Sequence, residues 1–148
     1  MSSRSRSRLA LSCMAAIVLT ASLVSCSSSL LDPINHTWQL HSVNGALLPD
    51  TVPNSSPVIV ITSGTAVTNG QGTYTLSFTG TSDGSTGSVG SDQGSWTITS
   101  STFFFRSANG AVPDYIGALG TDSIRITLPG QIVHSSNQSI DMVFTLAP

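Results

Sequence analysis

Residues 73–79 read TYTLSFT, and in them Tyr74, Leu76 and Phe78 alternate strictly with Thr73, Thr75, Ser77 and Thr79. A period of two sends one set of side chains to a core and the other to water, which marks a strand of an antiparallel sheet. The rhythm returns on both sides of this stretch. Ile140, Met142, Phe144 and Leu146 make a second such face, Ile124, Ile126 and Leu128 a third, and Trp96 with Ile98 a fourth. Residues 58–61 (VIVI) and the run Phe103-Phe104-Phe105 are apolar on both faces, as covered strands are, and Trp38 with Leu40 opens the first strand. Turn signals separate the runs at Asn44-Gly45, Ser63-Gly64, Asn69-Gly70, Asn109-Gly110 and Pro129-Gly130. No window of ten or more residues carries a helical stripe.

These signals predict an all-β fold of about eight antiparallel strands, near 37–43, 57–62, 65–68, 73–79, 94–99, 102–106, 123–128 and 139–146. The expected arrangement is an up-and-down barrel, with a β-sandwich as the alternative. A barrel of that size is filled by its own side chains or holds one small ligand. Trp38, Tyr74, Phe78, Trp96 and Phe103 are accordingly the candidates to line a ligand site, core packing being their ordinary role. Phe104 is placed to face the outside of the barrel or a partner. Residues 80–94 (GTSDGSTGSVGSDQG) form the longest polar segment and are expected to be a mobile loop.

The N-terminal end has a different character. Arg4, Arg6 and Arg8 precede an apolar stretch over residues 9–23, a positive leader and short apolar core of the secretory type. That run is shorter than the ~20 residues a membrane-spanning helix needs. Leu23-Val24-Ser25-Cys26 then resembles the lipobox of bacterial lipoproteins. The resemblance implies cleavage between Ser25 and Cys26, acylation of Cys26, and membrane attachment through that lipid. Residues 1–25 would be the signal peptide, 26–36 the lipidated cysteine and tether, and 37–148 a single barrel-like domain. Ser27, where an Asp would retain such a protein, implies an outer-membrane location in the cell envelope.

The segment HTWQLHSVNGALLP (residues 36–49) also resembles the opening of small envelope β-domains of lipocalin-like or META-like type. It departs from lipocalins at His36, where they place a glycine two residues before the first-strand tryptophan. The resemblance therefore speaks to fold and brings no ligand with it.

Removing 25 residues from 148 leaves 123, enough for one domain. Cys26 is then the only cysteine, so no internal disulfide is available, and Cys13 goes with the leader. The remainder holds Arg106 and Arg125 against seven aspartates, a formal charge of −5, with no lysine or glutamate. Such a balance argues against nucleic acid as a partner and leaves the membrane contact to the lipid anchor.

Catalytic signatures are weak. Gly80-Thr81-Ser82-Asp83-Gly84 fits the G-x-S-x-G pattern, but residues 84–94 are too rich in glycine and serine to begin a helix. A hydrolase using Ser82 is the remote alternative. His36, His41 and His134 have no zinc spacing, and Asp83 and Asp92 read as solvated loop carboxylates. No catalytic residue, metal or cofactor is assigned. The expected function is non-enzymatic: a lipid-anchored domain that binds a small apolar or amphipathic ligand, or alternatively a structural or interaction protein of the envelope.

Overall fold

A computed structural model of the chain describes residues 35–135 and 139–148. Ser25, Cys26, the expected signal peptide and most of the expected tether lie outside the described residues. The chain runs through β1 (His36–Val43), β2 (Ala46–Leu47), β3 (Asp50–Thr51), β4 (Ile59–Thr68), β5 (Thr73–Ser82), β6 (Ser85–Thr99), β7 (Thr102–Ser107), β8 (Tyr115–Leu119), β9 (Ser123–Pro129) and β10 (Ser139–Leu146). One 3-10 turn, Gly130–Val133, follows β9.

Strands β4 to β10 pair in sequence order, β10 pairs with β1, and β1 returns to β4. Every pairing is antiparallel, and His36–Gln39 set against Thr65–Thr68 seals the ring. The result is a closed eight-strand up-and-down barrel, the first of the two expected architectures. Beyond Gln39 the β1–β4 seam is relieved by the short strands, β2 pairing with β1 and β3 with β4.

Two predicted strands, 57–62 and 65–68, are one continuous strand. The apparent break at Ser63-Gly64 is a β-bulge between Ile61 and Ser63 that resets which side chains face inward. Gly64 is needed beside it, because a Cβ there would lie 2.8 Å from Cδ1 of Phe78.

The expected mobile loop is also corrected. Residues 80–94 lie almost wholly in β5 and β6, which form a long hairpin around a two-residue turn at Asp83-Gly84. Both turn residues have positive φ, 50° and 77°, the geometry that matches the strand twist and favours Asp-Gly. Serines, threonines and glycines occupy both faces near this turn, so the segment carries no apolar alternation although its backbone pairs throughout except at Val89, where the register shifts.

Strand β8 is absent from the sequence expectation. Ile116 points outward with 53 % of its surface exposed, and Gly117 occupies an inward position, so YIGAL lacks the alternation of the other strands. Gly117 leaves room for a ring, since a Cβ there would sit 3.1 Å from Cε2 of Phe105.

The core lies inside the barrel. Trp38, Phe78, Phe103, Phe105 and Phe144 are all buried, with aliphatic side chains of β4, β9 and β10 between them. One end is covered by the 3-10 turn, whose Ile132 and Val133 are buried. Gly90 permits this cover, because a Cβ would meet the Ile132 carbonyl oxygen at 2.4 Å. Ser135 Oγ donates to the Pro53 carbonyl at 2.9 Å, tying this turn to the chain between β3 and β4.

Candidate functional site

Two constellations stand apart, one inside the barrel and one on its wall. The five residues expected to line a ligand site all face inward and are buried. Three of them belong to one aromatic cluster centred on Phe105. Phe103 stacks on Phe105 at 5.5 Å between ring centroids, Trp96 tilts against Phe103 at 5.2 Å, and Tyr74 meets Phe105 edge-on at 5.0 Å. Phe78 lies apart, against Phe144 at 6.3 Å, and Trp38 stands edge-on to His36 at 5.6 Å. Trp96 Nε1 donates to the Thr73 carbonyl at 3.0 Å. Among the described residues, Trp38 Nε1 and His36 Nε2 are buried without a hydrogen-bond partner.

Sequence reasoning takes Asp92 as a solvated loop carboxylate. It lies instead on β6, faces inward and is 7 % exposed. Three hydroxyls supply its hydrogen bonds. Tyr74 Oη donates to Oδ2 at 2.6 Å, Tyr115 Oη donates to the same oxygen at 2.8 Å, and Ser107 Oγ donates to Oδ1 at 2.6 Å. Ser107 in turn accepts from the Asn109 amide at 3.0 Å. Both carboxylate oxygens are engaged, which satisfies the condition for keeping so polar a group inside. Tyr115 completes the aromatic cluster by stacking on Phe105 at 5.1 Å. No sequence signal joins these residues, because they lie on four different strands, β5 to β8.

Burial pushes the Tyr74 and Tyr115 hydroxyls well above the ordinary tyrosine range, and the adjacent Asp92 adds to the shift for both. The folded protein therefore holds its tyrosine protons more tightly than the unfolded chain does. Stability from this source is complete below the unfolded pKa of about 10 and declines as pH rises beyond it. These are the only two tyrosines of the chain. Tyrosinate absorbance is thus expected to appear in one step coincident with alkaline unfolding, and a separate earlier titration of either residue would contradict the geometry.

The remaining candidates are scattered. Ser82 ends β5 opposite Ser85, beside a hairpin turn in place of the helix a nucleophile elbow requires. His36 faces inward beside Trp38, whereas His41 and His134 are exposed. Among the described residues no group of three histidines, cysteines or acidic residues is placed to hold a metal.

The second constellation lies on the outer wall over β6, β7 and β8. Phe104 and Ile116 are direct cross-strand partners and are 47 % and 53 % exposed. Thr97 is the partner of Phe104 on β6, and Thr127 that of Ile116 on β9. The neighbouring row carries Ser95 opposite Arg106, whose Nε lies 3.4 Å from Oδ2 of Asp114. A shallow depression runs over these residues, and a second, lined by Thr127, Gln131 and Ser139, shares Asp114, Tyr115 and Ile116 with it. The triple phenylalanine is the available sequence signal, since alternation must turn Phe104 outward if Phe103 and Phe105 face the core. Its partners Ile116 and Asp114 become apparent only with β8. No protein-family model, curated protein or solved structure matches this chain.

Proposed function

We propose that the protein is a bacterial envelope lipoprotein, attached through an acylated Cys26, whose barrel binds an amphipathic partner on its outer wall and performs no catalysis. One observation carries the binding assignment. Five large apolar side chains are exposed among the described residues, Leu47, Val58, Val67, Phe104 and Ile116, and of these Phe104 and Ile116 are cross-strand partners. They adjoin a solvent-exposed ion pair, so apolar and polar groups meet on one surface as an amphipathic partner requires. The residues expected to line an interior site are each packed against another buried or half-buried ring, which favours the wall over the interior. A non-enzymatic role agrees with the state of Asp92, whose oxygens are committed to structural hydrogen bonds.

The anchor rests on the leader, the short apolar run and the LVSC motif. Two or more acyl chains on one residue give stable membrane attachment where a single chain gives only marginal binding. Mass spectrometry of the mature amino terminus tests it directly. The expected result is a first residue Cys26 carrying diacylglycerol, together with release of a Cys26→Ser variant from the membrane fraction. An unmodified Cys26 still joined to Ser25 in the mature protein would overturn the assignment.

A further inference from the structure

From the wall over β6, β7 and β8 we infer that the partner is a neutral oligosaccharide, seated on Phe104 with its hydroxyls on Ser95, Thr97, Arg106 and Asp114. The inference rests on the proposed use of this wall as the binding surface and names the chemical class of what it binds.

Four features converge on that class. First, Phe104 is an aromatic ring half open to solvent, fixed by a strand whose neighbours Phe103 and Phe105 are buried in the core. A pyranose ring offers an apolar C–H face that covers such a ring, while its edge stays polar. Second, Ser95 and Thr97 stand on β6 beside Arg106 and Phe104 and supply hydroxyl donors and acceptors at that edge.

Third, the two ion pairs differ in how completely they close. Arg125 grips Asp141 through Nε at 2.7 and 2.9 Å and through Nη2 as well, a closed fork. Arg106 meets Asp114 through Nε alone, at 3.4 Å, with both side chains more than half exposed. Among the described residues the terminal guanidinium nitrogens and the second carboxylate oxygen of that pair remain open. The open guanidinium edge can hold two neighbouring sugar hydroxyls, and the open carboxylate oxygen can accept from another.

Fourth, charge, openness and paired edges tell against a polyanion, a fatty chain and an added peptide strand. The groove carries one positive and one negative side chain, and the described residues as a whole hold six aspartates against two arginines. A polyanion is therefore repelled. A fatty chain would leave most of its length wet on so open a surface, with only Phe104 and Ile116 to cover it. Strand addition by a peptide is blocked, because β7 and β8 are paired along both edges.

The test uses the full lipidated chain in phosphatidylcholine nanodiscs, titrated by calorimetry and by amide chemical shifts. Cellotetraose, chitotetraose and maltotetraose are the neutral probes, with palmitate and dextran sulfate as the apolar and anionic ones. At least one neutral tetrasaccharide is expected to bind with Kd of about 1 mM, weak because the surface is open. Its shifts should centre on residues 95–97, 104–106 and 114–116. Phe104→Ala should weaken it about tenfold, and Arg106→Ala severalfold, with the remaining amide spectrum unchanged. The inference is overturned if no tetrasaccharide binds up to about 10 mM, or if Phe104→Ala binds as well as the parent protein. Palmitate shifting this wall where the sugars do not would refute the sugar while leaving the wall as a binding surface. Silence of the wall toward all five probes would refute both.

Discussion

Phe105→Ala is expected to destabilise the protein by about 3–5 kcal/mol, the range for truncating a buried phenylalanine. The ring is 2 % exposed and touches Tyr74, Phe103 and Tyr115, so its loss opens a void bounded by three strands. Those neighbours are themselves fixed by stacking and by hydrogen bonds to Asp92, which limits how far they can collapse into the space. The control is one residue away. Phe104→Ala removes the same atoms from a side chain that faces solvent and should change stability by no more than about 0.5 kcal/mol. Urea unfolding of both variants gives the comparison. Equal losses at the two positions would contradict the alternation on which the barrel rests.

Asp92→Ala is the second large effect, at about 3 kcal/mol or more. The substitution removes the acceptor shared by Tyr74, Tyr115 and Ser107, and an unsatisfied buried polar group costs about 1–3 kcal/mol. Asp92→Asn should be milder. With its amide oxygen in the Oδ2 position it still accepts from both tyrosines, and its nitrogen can donate to Ser107 if that hydroxyl turns. Denaturant midpoints falling in the order parent, Asp92→Asn, Asp92→Ala are expected. An alanine variant as stable as the parent would mean that the carboxylate contributes nothing net to the core.

The same two positions show how far the sequence can be read. Phe105 is read as buried from apolar character together with strand alternation, which also turns Phe104 outward, and the same holds for Tyr74, Leu76 and Phe78 in β5 and the alternating face of β10. Threonines and serines between those residues make the strand period visible, and eight such strands with short turns lead to a barrel. Asp92 cannot be read in this way. An aspartate within SVGSDQG has the local character of a loop, and only the pairing of Leu76 with Asp92 turns it inward beside two tyrosines. Residues 80–94 mislead for the converse reason, since a hairpin with polar side chains on both faces has no apolar period to display.

The candidate site is half visible. Phe104 can be turned outward by counting from its neighbours, but Ile116 and Asp114 come from the stretch around β8, where an exposed isoleucine and an inward glycine cancel the pattern. Their approach to Phe104 and Arg106 is a property of sheet order, which the local sequence does not encode. Residues 23–26 (LVSC) are the opposite case, since the resemblance to a lipobox rests on four adjacent residues.

Whether this barrel binds on its wall or in its interior is decided by an amide chemical-shift map of the full chain, in phosphatidylcholine nanodiscs, titrated with octyl glucoside below its micelle concentration. Shifts confined to residues 95–97, 104–106 and 114–116 are expected, with Trp38, Phe78 and Phe103 unmoved. Saturable shifts at those three inward residues, with the outer wall silent, would contradict the assignment and place the ligand inside the barrel.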